Sequence, residues 1–381
     1  MKELRKNKWR EVRYGDYVDH IEKNETDHEK RLQTKYISVE HIETGKLKIG
    51  NWSTEIMPTF VRTFKPGQVL FGKRRAYQRK VAIAEFNGIC SPHIWALEAK
   101  NGLSQKLLPY IMLTDRFYEY VNANSAGTMS VYLKWPQLSA YKFLLPPASQ
   151  QDQLFSLFQS QEIAIEQLEE QEKKILLLKK KLLKELVDIK PRFGSLLNTT
   201  NCKRFFLGEI AECDKKPNQS TEGDGRFIGL DNIAAEDFQL QGWGDTTDGT
   251  TFTKRFGKGD ILFGKRRAYL KKVAIANFDG VCSGDILVIR AKNNKILQGL
   301  LPFYVASDPF IQHAVSTSAG SLSPRTKWKD LAEFEVSIPE FETQEKILDV
   351  LRRLEQIKIQ LKQQKVVLKS LKQKLLNDIL G

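Results

Sequence analysis

One long segment occurs twice in the chain, and this internal repeat constrains the fold more than any other feature. LFGKRRAYQRKVAIAEFNGICS begins at Leu70, and LFGKRRAYLKKVAIANFDGVCS begins at Leu262. Over residues 67–91 and 259–283, 18 of 25 positions are identical at an offset of 192. Weaker matches at offsets of 191–193 run from the N-terminal YGDYV to the tryptophans of LKW and TKW. We therefore expect two copies of one structural unit that together span essentially the whole chain.

The first part of each copy has the composition of a small mixed domain. KVAIAEF and IWALEA in one copy, and KVAIANF and DILVIRA in the other, are typical of strands. One helix is predicted in each copy, over residues 107–121 and 297–315. The first part is therefore expected to combine short strands, turns and one helix.

The second part of each copy shows the spacing of a coiled coil. Residues 150–190 contain neither Gly nor Pro, and apolar residues recur at spacings of three, four and seven. A helix of about 40 residues is roughly 60 Å long and cannot bury its apolar stripe on itself. Antiparallel pairing of the two helices is the simplest solution, and separate packing of each helix on its own domain is the alternative. The predicted seam consists of Leu154, Ile165, Leu168, Ile175, Leu182, Ile189, Ile347, Leu354, Leu361, Leu368 and Leu375.

Several positions in the predicted seam are polar. They are Glu172, Lys179, Lys358, Lys365 and Lys372. Polar seam residues can fix the register of a coiled coil at a cost in stability. They can also mark where other proteins pack, and the sequence leaves both interpretations open.

These parts predict an α+β fold class with a pseudo-twofold tandem repeat. Two globular domains are separated by two long helices that pair as an antiparallel coiled coil. Prolines before each helix mark the boundary, because Pro ends the preceding strand and stiffens the connection. The predicted segments are 1–148, 149–191, 192–340 and 341–381.

The charge of the chain favours a polyanionic partner. The formal net charge is +14 and the pI is near 9.4, which is typical of nucleic-acid-binding proteins, although a ribosome-like or merely soluble basic protein is the plain alternative. The sequence has neither a run of about 18 apolar residues nor an apolar N-terminal signal region. Cys90 and Cys282 occupy matching strand positions without CxxC spacing, as expected of buried thiols in a reducing cytoplasm.

The sequence lacks the common catalytic and metal-binding motifs. GxxxxGK[ST], GxGxxG, HExxH and an NPPY-like tetrapeptide are absent, and the five histidines do not cluster. Glu98 begins an EAK with the local form of a nuclease ExK, but Arg290 takes its place in the other copy. A strand that ends in a charged turn explains both segments. We expect a non-catalytic chain without a metal or cofactor of its own.

The LFGKRRAY segments offer groups that bind nucleic acid. Arginine forks match phosphate oxygens and the guanine edge, and Gly72 and Gly264 let the backbone approach closely or adopt positive φ. The SAGT and SAGS loops add amides and hydroxyls that suit phosphate. A solvated charged hairpin and ordinary turns are the alternatives. The predicted DNA-binding residues are Lys73, Arg74, Arg75, Tyr77, Lys265, Arg266, Arg267, Tyr269, Gly127, Thr128, Gly320 and Ser321.

The copies differ mainly in their loops. The loops that precede the repeated segments share little beyond Trp52 and Trp243, and His93 in one copy is replaced by Asp285 in the other. Phosphate contacts position a protein, whereas base contacts give specificity. A constant framework with variable loops suits two modules that recognise two different short sequences. These four residues are therefore the candidate base-reading residues.

The duplicated architecture resembles the specificity subunit of type I restriction–modification systems. A GxxLFGKxRxYxxKVA segment occurs in each half. Each long helix begins after Pro and carries an early Gln, with Pro146, Pro147 and Gln151 in one copy and Pro339 and Gln344 in the other. The single motif is moderately specific, but its duplication between two long helices is highly specific and covers the full chain.

The resemblance implies that each globular domain is a target-recognition domain for one half of a bipartite site in double-stranded DNA. The coiled coil would set the unspecified spacer and dock two modification subunits, which use S-adenosylmethionine to methylate adenine N6 after base flipping. Motor–nuclease subunits that use ATP and magnesium would complete the restriction complex. The chain itself would be non-catalytic and cytoplasmic. A stand-alone DNA- or RNA-binding protein with a coiled-coil spacer is the alternative.

Overall fold

The computed structural model describes residues 6–54, 60–127, 131–188, 193, 202–213, 225–292 and 294–381. The chain divides into two compact units. The first unit is Met1–Glu169 with Gln363–Gly381, and the second is Glu170–Lys362. Each unit combines a globular domain with the parts of two long helices that pack on it, and each has its own hydrophobic cores.

Three small sheets form the domain of the first unit. Its described strands are β1 (Arg10–Arg13), β2 (Val18–Ile21), β3 (Tyr36–Ile37), β4 (Arg62–Phe64), β5 (Val69–Gly72), β6 (Val81–Ile83), β7 (Gly88–Cys90), β8 (Ile94–Ala99) and β9 (Lys142–Leu145). An antiparallel sheet has the order β2-β8-β5-β6, and β1 pairs with β9. In the sheet β3-β7-β4, β3 is parallel and β4 antiparallel to β7.

Short helices cover these sheets, and a long helix follows them. The short helices are α1 (Tyr14–Tyr17), α2 (His28–Leu32), α3 (Leu108–Met112), α4 (Asp115–Asn124) and α5 (Trp135–Ser139), and the long helix is α6 (Ala148–Val187). The prediction of a single helix over residues 107–121 is wrong, because the helix is interrupted between α3 and α4. The Thr114 hydroxyl accepts a hydrogen bond from the Phe117 N–H (3.3 Å) and caps α4 as a new helix.

Among the described residues, the second unit repeats this topology strand for strand and has one further strand. Its described strands are β10 (Cys202–Phe206), β11 (Ala211–Cys213), β12 (Arg226–Ile228), β13 (Gly244–Asp245), β14 (Lys254–Phe256), β15 (Ile261–Gly264), β16 (Val273–Ile275), β17 (Gly280–Cys282), β18 (Ile286–Ala291) and β19 (Glu335–Pro339). The sheets have the orders β11-β18-β15-β16 and β13-β12-β17-β14, and β10 pairs with β19. The added strand β13 extends the smaller sheet at the edge formed by β12.

Five of the six described helices of the first unit, all except α2, have counterparts among the described helices of the second. They are α7 (Leu207–Ile210), α8 (Leu301–Val305), α9 (Asp308–Ser316), α10 (Trp328–Leu331) and the long helix α11 (Phe341–Leu380). The helix predicted over residues 297–315 is again two helices. Ser307 plays the part of Thr114, since its hydroxyl accepts from the Phe310 N–H (3.3 Å).

Strand β5 is buried on both faces, and this explains why the repeated segment is apolar without alternation. Val69 and Phe71 lie in a core with the short helices, while Leu70 faces a second core that contains Phe64 and Cys90. Alternate residues of a strand point to opposite faces of its sheet, so a sheet covered on both sides needs a continuous apolar run. Strand β15 divides its residues between two cores in the same way.

The two long helices run antiparallel, as predicted. In the first unit Glu162 of α6 pairs with Lys372 of α11. Further along α6, a carboxylate oxygen of Glu169 lies 2.9 Å from the ammonium of Lys369. Moving forward along α6 therefore moves backward along α11, which defines an antiparallel pair.

The predicted seam residues are buried to different degrees. The buried ones are Leu154, Ile165, Ile347, Leu354 and Leu361. The half-buried ones are Leu168, Ile175, Leu182, Leu368 and Leu375, and Ile189 lies outside the described residues. The apolar stripe is broader than a heptad seam because each helix also packs on a domain. Leu186 joins the core of the second unit and Leu376 joins that of the first, and both are fully buried.

Two expectations from composition concern the thiols and the membrane. Cys90 and Cys282 are at most 1% exposed, which confirms their predicted burial at matching positions of β7 and β17. Among the helices that the structure describes, none is long and apolar enough to cross a bilayer.

Candidate nucleic-acid interface

The repeated basic segments form turns at the ends of β5 and β15. Residues 73–79 and 265–271 connect these strands to β6 and β16 and are named here the basic turns. Each begins with Lys-Arg-Arg and contains one turn of 3₁₀ helix, Ala76–Gln78 or Ala268–Leu270. Because the flanking strands pair in the same register, both domains hold the same turn in the same place.

Backbone hydrogen bonds tie the first basic turn to two other loops. The Lys73 N–H donates to the carbonyl of His93 (2.9 Å), in the loop before β8. The Arg75 N–H donates to the carbonyl of Val131 (2.7 Å), in the loop between α4 and α5. The first domain therefore gathers its basic residues and two sequence-distant loops on one surface.

The second basic turn has the same ties. The Lys265 N–H donates to the carbonyl of Asp285 (2.9 Å), and the Arg267 N–H donates to that of Pro324 (2.8 Å). The Thr326 N–H also donates to the Lys265 carbonyl (3.1 Å). The two surfaces are thus built by equivalent backbone contacts, although the loop sequences differ.

Non-glycine residues with positive φ bracket each 3₁₀ turn. Arg75 and Arg79 have φ of 51° and 54°, and Arg267 and Lys271 have φ of 53° and 52°. This left-handed conformation costs roughly 1–2 kcal/mol for a residue with a Cβ. Such strain is concentrated at functional sites, where the surrounding structure maintains it. Its occurrence at the same two positions in each domain points to a required side-chain arrangement.

The glycines before the basic turns lie beside lysine side chains and do not have positive φ. A Cβ on Gly72 would lie 3.4 Å from the Cβ of Lys80, and one on Gly264 would lie 3.2 Å from the Cβ of Lys272. Neither glycine has positive φ. The structure therefore excludes the positive-φ role, and close approach of the backbone to nucleic acid stays a prediction.

The last residue of each basic turn forms an ion pair with helix α4 or α9. Arg79 Nη1 lies 2.5 Å from Asp115 at the start of α4, and Lys271 Nζ lies 2.6 Å from Asp308 at the start of α9. The hydrogen bond to Asp308 raises the pKa of Lys271. The last cation of each turn is therefore committed to holding the turn in place.

The middle residues of each basic turn have side chains exposed to solvent. Tyr77 is 53% and Tyr269 is 52% exposed, and Arg75 and Arg267 are exposed beside them. Lys73 differs, because its ammonium lies 5.0 Å from the centre of the Trp95 ring and burial lowers its pKa. The arginines and tyrosines are thus the groups best presented to a polyanion.

The candidate base-reading residues at positions 93 and 285 lie against the basic turns. His93 Nε2 is 3.1 Å from Arg74 Nη1. Burial lowers the pKa of His93, as do the charges of Arg74 and Lys73. These effects favour the neutral ring, in which Nε2 can accept from the arginine. Asp285 accepts from Arg325 Nε (2.7 Å) and Nη2 (3.2 Å), which holds the pKa of its carboxyl below the usual range.

The tryptophans at positions 52 and 243 lie beside the smaller sheet of each domain. Trp52 packs edge-on against Phe86, with the ammonium of Lys35 4.1 Å from its ring centre. Trp243 packs in the same way on Phe278, beside Arg226. The structure therefore joins His93 and Asp285 to the basic turns, whereas the given contacts of each tryptophan are with an aromatic ring and a cation beside the smaller sheet.

The SAG loops lie next to the basic turns, because the loop that follows each makes the backbone contacts given above. Gly127 and Gly320 both have positive φ, at 105° and 111°. Ser321 is exposed, and Thr128 lies outside the described residues. The sequence pattern predicted these loops but did not predict that they share a surface with the basic turns.

One pair of residues in this surface was missed from the sequence. Tyr132 bridges to Arg74, and Arg325 bridges to Arg266, as isolated antiparallel β-bridges. The two positions correspond in the repeat, 193 residues apart. The signal was the contrast between VYLKW and PRTKW, but only the fold shows that it lies beside an arginine of the basic turn.

The EAK segment and its RAK counterpart each have a structural role. Glu98 accepts a hydrogen bond from Gln68 Nε2 (2.7 Å), and at the matching place Arg290 Nε lies 2.5 Å from Asp260. The first half thus has an amide–carboxylate hydrogen bond where the second half has an ion pair. Within the described ranges, no group of three or more His, Cys, Asp or Glu side chains is arranged to hold a metal.

Sequence comparisons match most of the chain to a single family. The family model for the type I restriction modification DNA specificity domain matches residues 6–178 and 200–369. The type I restriction enzyme EcoDI specificity subunit of Escherichia coli is 37% identical over 111 residues, which are 29% of this chain and 24% of that protein. The match therefore spans about a quarter of the length of this curated relative.

Two solved structures share the fold over the whole chain. A chain from a study of complex assembly and conformational transition in the type I R-M system has a TM-score of 0.60 at 19% identity, covering 97% of this chain and 96% of that one. The type I restriction–modification S subunit from M. genitalium has a TM-score of 0.61 at 15% identity, covering 100% and 98%. At these identities the likeness shows the fold alone.

Proposed function

The chain belongs to the type I restriction–modification DNA specificity family, and we propose that it selects the DNA sequence on which such a complex acts. Two family domains in one chain suit a bipartite site, with one half-site for each domain. In this proposal residues 1–148 and 192–340 are the target-recognition domains. Residues 149–191 and 341–381 are the helices that set the spacer.

The observation that carries the proposal is the duplicated basic surface. Both domains hold Lys-Arg-Arg and an exposed tyrosine on the same strained turn, and both tie that turn to the same two loops. Identical cations suit the DNA backbone, which is the same at every site, whereas changed loop residues suit different bases. A pair of domains that bound an invariant ligand would have no reason to vary at these positions.

The proposed partners follow from the family. Double-stranded DNA would lie on the two basic surfaces, and two methyltransferase subunits would dock along the paired helices and the domains. Those subunits would bind S-adenosylmethionine, and motor–nuclease subunits would use ATP and Mg²⁺. This chain would contribute recognition without catalysis, and the complex would act on DNA in the cytoplasm.

The decisive experiment is a methylome of the host by long-read sequencing, with the gene present, deleted and restored. We expect deletion to abolish one bipartite N6-methyladenine motif and the restored wild-type gene to recover it. An unchanged methylome, with the partner methyltransferase shown to be expressed, would overturn the proposal. It would favour a stand-alone DNA- or RNA-binding role instead.

A further inference from the structure

We propose that one pair of positions in each domain selects a base of its half-site: His93 with Tyr132 in the first domain, and Asp285 with Arg325 in the second. In the second domain this pair forms an arginine fork that binds guanine. The inference rests on the proposed function, because it assigns residues and a base to the interface described there.

The two pairs occupy equivalent places in the fold. Residues 93 and 285 accept the N–H of the lysine that begins each basic turn, at 2.9 Å in both domains. Residues 132 and 325 bridge to the next residue of the turn, Arg74 or Arg266. Both variable positions therefore flank the same arginine in each domain, beside a Lys-Arg-Arg segment that is identical in the two domains.

The second domain holds its arginine in a defined orientation. Arg325 uses Nε and Nη2 on the Asp285 carboxylate, at 2.7 and 3.2 Å. The outer Nη1–Nη2 edge of the planar guanidinium is not the edge used in this contact, and the Arg325 side chain is 48% exposed. An arginine edge of this kind matches guanine O6 and N7 in the major groove. A carboxylate that fixes the fork lowers the conformational entropy lost on binding.

Asp285 also links this fork to the basic turn. Its second oxygen lies 3.7 Å from Arg266 Nη1, while Arg266 Nε donates to the Ser323 hydroxyl (3.1 Å). The carboxylate thus sits between two arginines and keeps them at a fixed separation. Arg266 suits the backbone phosphate, since its counterpart Arg74 is retained in the other domain, and Arg325 suits the base.

The first domain cannot form this fork. Tyr132 stands at the place of Arg325, and the neutral ring of His93 accepts from Arg74 instead. Tyr132 is 42% exposed, with a ring near the ammonium of Lys134. The first domain therefore presents a phenol hydroxyl where the second presents a guanidinium, so the two half-sites differ at this base.

The repeat itself supplies the test, because each domain can be given the other's pair. H93D/Y132R and D285H/R325Y are introduced separately into the full chain and expressed with its partners in the deletion strain. Methylomes are then compared with that of the restored wild type. We expect D285H/R325Y to lose a guanine preference at one position of the second half-site. We expect H93D/Y132R to gain one in the first, with the other half-site and the spacer unchanged.

A single conservative variant tests the guanine contact with less risk that the chain fails to fold. Arg325→Lys keeps the charge but has no planar fork, so we expect methylation to persist while the guanine preference falls about tenfold or more. Arg204→Ala is the matched control, because Arg204 is an exposed arginine of the same domain that pairs with Glu335 on a different sheet. This control should leave the motif unchanged.

The outcomes separate this inference from the proposed function. If restored wild type recovers no motif, the proposed function fails. If wild type recovers a motif and Arg325→Lys leaves every base preference intact, the fork does not select guanine and the inference is wrong. A methylated motif that changes in both half-sites after one exchange would also overturn it.

Discussion

Lys179 Nζ lies 2.5 Å from a carboxylate oxygen of Glu355, between α6 and α11 in the second unit, and both side chains are largely buried. In the first unit Lys372 of α11 pairs with Glu162 of α6, so the helices have exchanged roles. Each lysine is 193 residues from the other, and so is each glutamate. The repeat has therefore duplicated a buried ion pair along with the domains.

Breaking one of these pairs should destabilise the chain more than an exposed change on the same helix. Glu355→Gln leaves the Lys179 ammonium buried without its carboxylate, and loss of one partner of a buried pair typically costs about 3–5 kcal/mol. We expect a lower unfolding midpoint in urea, compared with the exposed control Glu345→Gln. The paired replacement K179M/E355L should recover most of the loss. Equal midpoints for Glu355→Gln and the control would show that the pair contributes nothing.

Replacing the strained Arg75 of the first basic turn with glycine should raise the stability of the chain and reduce the salt dependence of its binding to DNA. Arg75→Gly removes a Cβ from a residue with φ of 51°, so we expect a gain of up to about 1 kcal/mol in the free energy of unfolding, offset in part by the flexibility of glycine. The same variant loses an exposed cation, so the slope of log affinity against log salt should become shallower by about 0.9.

Arg75→Ala is the matched variant for this experiment, because it removes the cation and keeps the strain. Binding to duplex DNA is measured at several salt concentrations for both variants, beside urea unfolding. The interpretation fails if glycine and alanine have the same stability, or if neither changes the salt slope.

A buried glutamine in the first turn of each long helix should be essential to stability. Gln151 accepts from the Ser104 N–H (2.6 Å) and donates to the carbonyls of Gly102 (2.9 Å) and Pro146 (3.0 Å). Alanine would leave buried backbone groups without partners, at about 1–3 kcal/mol for each group. We expect Gln151→Ala to lower the melting temperature strongly, while the exposed Gln153→Ala has little effect. Similar melting curves for the two variants would contradict this.

Acid should weaken the contact between the second domain and its helices. Burial raises the pKa of Asp237, but the Gln239 N–H and the ammoniums of Lys358 and Lys362 outweigh it and hold that pKa below the usual value. A carboxyl with a lowered folded pKa stabilises the fold above its unfolded pKa, near 4, and loses this contribution as the pH falls through the folded pKa.

Asp237→Asn should therefore flatten the loss of stability below about pH 4, when unfolding is followed from pH 7 to pH 2. Asp152→Asn, at an exposed position of α6, is the control and should leave the wild-type slope. A wild-type slope in Asp237→Asn would remove this carboxylate from the acid response.

The sequence predicted the parts of the molecule whose cause is local or repeated. Strand runs such as IWALEA and the heptad spacing report burial directly, and the duplicated LFGKRRAY marked the basic turns. The sequence did not predict the helix interruptions at Thr114 and Ser307. A buried hydroxyl that caps a helix resembles an ordinary helical residue until its hydrogen-bond partner is known. Tyr132 and Arg325 were not predicted as site residues for a related reason, since they contact the basic turns only through long-range β-bridges.

Polar seam positions show the same division between pattern and partner. Spacing alone marked Lys179 and Lys372 as polar residues in an apolar stripe, with two open interpretations. Their glutamate partners lie on the other helix, at positions that the pattern within one helix does not reveal. The ion pairs favour a role in register, because a shift of one heptad would separate both lysines from their partners.

Lengthening both helices by one heptad should lengthen the DNA spacer. Seven residues inserted between positions 169 and 170 and between 362 and 363 add about 10 Å of helix, or roughly three base pairs. Insertion at these points keeps Glu162 with Lys372 in the first unit and Lys179 with Glu355 in the second. We expect a methylome in which both half-sites are unchanged and the spacer is longer.

An insertion in α6 alone is the matched control, because it shifts one helix past the other and separates an ion pair from its register. Its expected result is loss of methylation at the original motif and a lower unfolding midpoint. A heptad inserted in both helices turns the helix by only about 20° from an exact phase, so folding is expected to survive. An unchanged spacer in a stable double-insertion chain would show that the helices do not set the distance between half-sites.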